Sequence, residues 1–428
     1  MKIIPYPKPE QWSALASRPL LCSENLNSRV NSILKKVKRD GDSAVLQYTK
    51  DLDGVALESL LVSDTEFQTA QQLVSAPLKE AMKLAAGNIR RFHLSQKESI
   101  KYVETVKGVT CWRRSVGIER VGLYVPGGSA PLFSTVLMLG IPAAIAGCKE
   151  VQLCTPPGKD GKINPAILVA AKLAGIRRVY KVGGAQAIAA MAYGTQSISK
   201  SDKIFGPGNQ YVTCAKQLVS IDGTAIDLPA GPSELAVFAD KEANASFVAA
   251  DLLSQAEHGA DSQVILTSTS LLLIEDVIKE LNAQIRVLPR KAIARKALEN
   301  SRFILFRTSA EAIEFLNLYA PEHLILSCRN ARTLSKRVSH AGSVFIGPYS
   351  AESTGDYASG TNHTLPTNGY ARAYSGVSLE SFLKKITFQE VSAAGLLRIG
   401  PSVEIMAEAE QLEAHKNAIS IRLNTLKS

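Results

Sequence analysis

The segment DLLSQAEHGAD at residues 251 to 261 sets an amide and an imidazole three positions apart at the end of a helix-forming run. Positions i and i+3 of a helix share a face, so Gln255 and His258 can reach one point. An amide oxygen and an imidazole nitrogen without thiolate suit zinc, manganese or a related divalent cation. The plainer alternative is a buried, hydrogen-bonded histidine at a helix C-terminus, a position that favours His in any case. Further on, Glu322 and His323 follow Pro321 at the start of the apolar run HLILS. A carboxylate beside an imidazole supplies two proton acceptors of different basicity. An ion-paired glutamate next to a capping histidine would look the same. Asp356 lies in the Gly-rich stretch GDYASG, with His363 seven residues on, and His415 follows Glu410 by five residues in the terminal segment. An Asp in such a loop is commonly a turn former and a lone His in a polar helix is commonly solvated, so chemistry alone selects neither.

Three glycine-containing loops stand between a β-branched run and a helical one: Pro126-Gly127-Gly128, Val182-Gly183-Gly184 and Phe205-Gly206-Pro207-Gly208-Asn209. Glycine there lets the backbone approach a dinucleotide, and the helix N-terminus that follows attracts phosphate. The G-x-G-x-x-G pattern is absent, and tight turns need glycine without any ligand. Three such loops in one half of the chain favour a nucleotide.

The elements that must hold these residues follow an α/β rhythm. VGLYV at 121–125, VQLC at 151–154, RVYKV at 178–182 and KIF at 203–205 read as strands, separated by Ala-rich helical segments. Strand and helix in that alternation imply parallel strands with crossover helices, a Rossmann-like half. A second alternation runs through QVILT at 263–267, FILF at 303–306, HLILS at 323–327 and SVFIG at 343–347. The predicted fold is therefore two Rossmann-like parallel-sheet domains, with a small helical N-terminal segment over 1–20 and a C-terminal tail domain over 376–428. Residues 101–233 form the nucleotide-type domain, and 21–100 with 234–375 form a discontinuous α/β domain carrying the reactive residues. The helical stretch 26–95 is expected to pack on that second domain, and the tail to end in one helix.

A chain of 428 residues exceeds what one core usually serves. Its 49 basic against 39 acidic residues, net +10, permit an anionic partner. The basic residues between 286 and 337 are scattered without interleaved aromatics, which fits a solvated helical face better than a nucleic-acid groove. Six cysteines show neither CxxC spacing nor the density of a disulfide framework, so a reducing compartment fits. The N-terminus MKIIPYPKPEQW lacks the apolar core of a secretion signal, and the apolar stretch 136–147 is interrupted by Gly140 and Pro142. A cytoplasmic protein without a membrane span is expected.

IDLPAGPSELAVFAD at 226–240 running into DLLSQAEHG, VGLYVPGGSAPLFSTVLM at 121–138, KIFGPGNQYVT at 203–213, APEHL at 320–324 and STGDYASGTNHTLPT at 353–367 resemble the histidinol dehydrogenase family over most of the chain. The resemblance implies oxidation of L-histidinol to L-histidine through L-histidinaldehyde with two NAD, the last steps of histidine biosynthesis. It implies one zinc per subunit held by Gln255, His258, Asp356 and His415. These four, with Ser233, His323, His363 and Glu410, would also border the substrate. His323 would act as general base and Glu322 would activate water, while Tyr124, Gln186 and Asn209 match NAD-contacting positions. It further implies a homodimer with exchanged C-terminal segments, in which His415 and Glu410 complete the other copy's site. A cysteine-dependent aldehyde dehydrogenase, suggested by Cys148, Cys154 and the α/β halves, is the alternative within enzymes.

Overall fold

The computed structural model describes residues 2–18, 24–127, 131–229 and 231–427. Gly128, Ala230 and Cys22 lie outside the described residues. The chain divides into two units, residues 1–95 with 118–382, and residues 96–117 with 383–428.

The first unit is built on two parallel sheets. One has five strands in the spatial order Arg178–Lys181, Glu150–Thr155, Arg120–Tyr124, Lys203–Phe205, Ala225–Ile226. Successive side chains point to opposite faces. Val121, Leu123 and Leu153 therefore pack with helices Phe133–Ala146 and Pro165–Leu173. Tyr124 and Cys154 pack with Gly184–Tyr193 and Gln210–Ile221 on the other side. Strand order reverses between Arg120–Tyr124 and Lys203–Phe205, so the loops leaving their carboxyl ends part to opposite faces and open a crevice.

The second sheet has six strands in the order Ile3–Pro5, Arg302–Leu305, Gln263–Ser268, Glu234–Ala239, His323–Ser327, Ser343–Ile346, every neighbour parallel. All residues of Glu234–Ala239, Gln263–Ser268 and His323–Ser327 are buried, as strands covered on both faces require. The sequence reading omitted Glu234–Ala239, although it lies at the middle of the sheet. Its reading of residues 1–20 as helical also needs correcting. Helix Pro9–Leu15 is present, but Ile3–Pro5 adds an edge strand beside Phe303–Leu305.

The helices between 24 and 94 pack mainly on the five-stranded sheet, not on the six-stranded one as expected. Val30, Leu34 and Val37 of Glu24–Asp40 form a stripe against Gly184–Tyr193, whose alanines allow close approach. Met82, Ala85, Ala86 and Ile89 of Ala76–Leu94 do the same against Phe133–Ala146. Amphipathic periodicity shows that a helix has an inner face but not which neighbour will cover it.

The second unit differs from the expected division as well. Strand Val109–Gly117, read as part of the nucleotide-type domain, pairs antiparallel with Tyr102–Val106 and with Leu383–Val391. Trp112 stacks on Phe388 with ring centroids 5.4 Å apart. The tail forms two helices, Ala393–Ala409 and Glu413–Lys427, because Gln411 turns the chain with φ +59°. They pack closely where Gly400 meets Leu423.

Candidate active site

Helix Ala245–Ala256 starts after the carboxyl end of strand Glu234–Ala239 and returns beside it. A crossover helix of this kind delivers its C-terminus to the amino edge of a parallel sheet. Gln255 and His258 are thereby brought to the edge where Glu234 and His323 begin their strands. The carbonyls at that helix end carry partial negative charge, which favours a cation there. Ala320, held at φ +52°, turns the chain out of helix Ser309–Tyr319 and aims Pro321-Glu322-His323 into the same edge.

The fourth contributor is the short helix Glu352–Tyr357. It carries Glu352 and Asp356 four residues apart, on one face. Candidate ligand atoms of His258, Glu352 and Asp356 all lie within 4.8 Å of one another. His323 stands against this group, with Nδ1 3.4 Å from Glu352 Oε1 and 3.7 Å from Glu322 Oε2, and Nε2 3.7 Å from Asp356 Oδ1. Glu352 was missed in the sequence, where a glutamate in a Gly- and Ser-rich segment reads as solvated. Its burial, 1% exposed, is what marks it.

Several polar atoms here lack partners. Both amide atoms of buried Gln255, both ring nitrogens of His323 and both oxygens of Glu352 are without hydrogen bonds. Buried polar groups are nearly always paired, so a cluster of unpaired ones points to a ligand or ion. Burial also raises the carboxyl pKa values of Glu322, Glu352 and Asp356, and pushes Asp251, one turn before Gln255, up to about 7. It lowers His323 to about 3 and His363 to about 4. His258 is lowered too, by the protein around it, although its side chain reaches solvent. Packed carboxyls, neutral imidazoles and an amide oxygen are a donor set that a divalent cation would satisfy, so Gln255, His258 and Asp356 fit a zinc site.

Glu322 is held from behind. Its Oε2 accepts the Glu234 N–H at 3.0 Å, and the Ser233 side chain hydrogen-bonds to it as well. Glu234 is in turn gripped by Arg18, with Nη2 2.8 Å from Oε1, and by the Tyr319 hydroxyl at 3.3 Å. His363 bridges elements, its Nδ1 3.0 Å from the Asp356 carbonyl and its Nε2 3.0 Å from Thr135 Oγ1 of helix Phe133–Ala146. Glu410 caps the end of helix Ala393–Ala409 and His415 lies in Glu413–Lys427, so both belong to the second unit.

Tyr124, Gln186 and Asn209 line one cavity of about 1550 Å³ with Pro126, Gly127 and Gly184. Tyr124 accepts the Gly184 N–H at 3.1 Å, and Asn209 caps helix Gln210–Ile221 through the amides of Tyr211 and Val212. Gly206 has φ +127°, and a Cβ there would collide with the Tyr124 carbonyl. Lys216 and Asp227, a buried ion pair, fix this turn from below through the Gly206 carbonyl and amide at 2.9 and 2.7 Å. Gln186 Oε1 and Asp53 Oδ2 are buried in the cavity wall without partners. Asp53 was not anticipated, since it comes from a helical segment remote in sequence from the glycine loops.

Cys148, Cys154 and Cys328 do not favour thiolate chemistry. Burial pushes Cys148 and Cys328 up to about 11 and raises Cys154 as well, so these remain thiols near neutrality. Among the described residues no helix is long and apolar enough to cross a membrane.

The histidinol dehydrogenase family model matches residues 16–423. Histidinol dehydrogenase of Bacteroides thetaiotaomicron is 60% identical over 427 residues, covering 100% of both chains. That of Vibrio parahaemolyticus is 51% identical over 420 residues, covering 97% of this chain and 96% of its own. A crystal structure of histidinol dehydrogenase from Elizabethkingia anophelis superposes with a TM-score of 0.98 at 55% identity, covering 100% of this chain and 99% of that one. On a match of this extent, in sequence and in fold, the chain belongs to the histidinol dehydrogenase family of oxidoreductases.

Proposed function

We propose that this chain oxidises L-histidinol to L-histidine in two NAD-linked steps through L-histidinaldehyde, at a zinc site formed by Gln255, His258, Asp356 and His415. The observation that carries the reading is the gathering of His258, Asp356 and Glu352 around one point, with His323 and Glu322 against it.

His323 takes the alcohol proton in the first oxidation. Its burial keeps the imidazole neutral, so it meets the substrate as a base. Glu322 takes a proton from the water that adds to the aldehyde. The raised affinity of its carboxyl for protons suits that task, and the Glu234 amide holds one oxygen so that the other faces the reaction. His363 and Ser233 border the substrate, and the Thr135 hydroxyl ties the His363 ring to the nucleotide-binding half. When bound, zinc would orient the substrate's imidazole and amino nitrogens and polarise its oxygen. NAD, held by Tyr124, Gln186 and Asn209, would supply the hydride acceptor for each oxidation. In a homodimer with exchanged C-terminal segments, His415 and Glu410 from one copy complete the site of the other.

The test is stoichiometric. Limiting L-histidinol with excess NAD should yield two NADH per histidinol consumed, and removal of metal should abolish turnover until zinc is restored. One NADH per histidinol, or undiminished turnover in protein verified to be free of metal, refutes the reading.

A further inference from the structure

We infer that Arg18 is a positioning residue for the second oxidation: by clamping Glu234 and the turn at Ala320, it holds the Glu322 carboxylate where water meets the aldehyde. The inference rests on the reading of Glu322 as the group that activates water and adds to it what fixes the aim of that group.

Arg18 lies just after helix Pro9–Leu15, remote in sequence from every residue of the site. Its Nε and Nη2 donate to Glu234 Oε2 and Oε1, the second at 2.8 Å, a two-pronged contact that fixes direction as well as charge. Nη2 also donates to the Tyr319 carbonyl at 2.7 Å and the Ala320 carbonyl at 3.4 Å, and the guanidinium lies 4.0 Å over the Tyr319 ring. Arg18 thus grips both the first residue of a central strand and the left-handed turn that leads into Pro321-Glu322-His323. Glu234 passes the constraint on. Its N–H donates to Glu322 Oε2 at 3.0 Å, beside the Ser233 side chain that bonds the same carboxyl, and its carbonyl lies against the His323 ring. The Arg18 and Glu234 side chains are 15% and 3% exposed. Stability alone does not call for a buried ion pair, since apolar side chains of similar volume often serve as well. What the planar fork adds is a fixed angle between two chain segments.

Glu322 and His323 depend on this clamp unequally. His323 opens a strand paired on both sides, opposite Leu235 and Ser343, and its ring packs beside Phe345 with centroids 6.0 Å apart. The Glu322 side chain is held by the Glu234 amide and by Ser233, neighbours on the segment that Arg18 pins. In the second oxidation water gives a proton to Glu322 as its oxygen bonds to the aldehyde carbon. The resulting hydrate anion then passes hydride to NAD, and the products are the acid, NADH and protonated Glu322. A Glu322 carboxylate that has lost its anchor slows this sequence and leaves the first oxidation, in which no water adds, largely intact.

The test compares Arg18→Gln, Arg18→Lys and Glu322→Gln with the wild type, as zinc-loaded full chains, in two reactions of L-histidinaldehyde. Oxidation with NAD needs the activated water; reduction with NADH, the reverse of the first oxidation, does not. Arg18→Gln should lower kcat for oxidation by about 10²-fold, the scale of misplacing a reacting group by an ångström, with reduction, both KM values and zinc content within about threefold of wild type. Arg18→Lys keeps the charge without the fork, so it should lose less, and in oxidation only. It carries the comparison if Arg18→Gln does not unfold cooperatively. Equal losses in the two reactions, no loss in oxidation, loss of bound zinc, or failure of both Arg18 variants to fold overturns the inference. If Glu322→Gln oxidises the aldehyde at the full rate, it is the reading of Glu322 that fails.

Discussion

His323 is 4% exposed, and its ring nitrogens stand 3.4 to 3.7 Å from carboxyl oxygens of Glu322, Glu352 and Asp356. His323→Asn preserves the size of the ring's inner part but removes the basic nitrogen. Its expected cost is about 10²- to 10⁴-fold in kcat, the usual contribution of a positioned acid or base, with a much smaller change in KM. Steady-state kinetics at saturating NAD check this, and equal losses arising only in KM would mean that His323 binds and does not catalyse. At this scale the sequence was partly legible. Gln255 with His258 and Glu322 with His323 are visible as pairs because each is local. Asp356 and His363 needed the family resemblance, because nothing in a Gly-rich loop states what it faces. Glu352 escaped both readings, because its chemistry arises from burial that no local pattern records.

Among the elements, the alternating strands were readable because parallel strands covered on both faces are continuous apolar runs, and eight of those predicted match observed strands to within a residue or so. Pairings between distant segments were not. Val109–Gly117 with Leu383–Val391, and Ile3–Pro5 with Phe303–Leu305, join runs whose local pattern carries no record of the partner. The helix Ala76–Leu94 gives a prediction of its own. His93 is fully buried, its Nδ1 2.8 Å from the Ile89 carbonyl and its Nε2 unpartnered, and burial lowers its pKa below the ordinary 6.5. The unfolded chain therefore binds this proton at a higher pH than the folded one. Stability from this group is intact above about pH 6.5 and declines as the pH falls below it, down to the folded value. Thermal unfolding from pH 7.5 to 5 should show Tm falling with acid, and His93→Gln should flatten part of that slope. An identical slope in the variant would mean that His93 is already protonated in the fold, or neutral in both states.

For the whole molecule, the account places the nucleotide crevice at the carboxyl edge of one parallel sheet and the reactive cluster at the amino edge of the other, joined through contacts such as His363 with Thr135. The second unit carries Glu410 and His415, and the proposed exchange between two copies has a simple consequence. Inactive His415→Asn and inactive His323→Asn, dissociated and reassociated together, should regain about a quarter of wild-type activity, since half of randomly formed dimers hold one intact site of two. No recovery in verified heterodimers would mean that each chain builds its site alone. The central claim is that four side chains from three separate segments of the sequence close on one divalent cation. Anomalous diffraction at the zinc edge, from crystals of the full chain grown with zinc and L-histidinol, tests it most directly. The account predicts one peak per subunit, about 2.0–2.2 Å from atoms of Gln255, His258, Asp356 and His415. A peak elsewhere, or one at this cluster with any of the four turned away from it, contradicts the account.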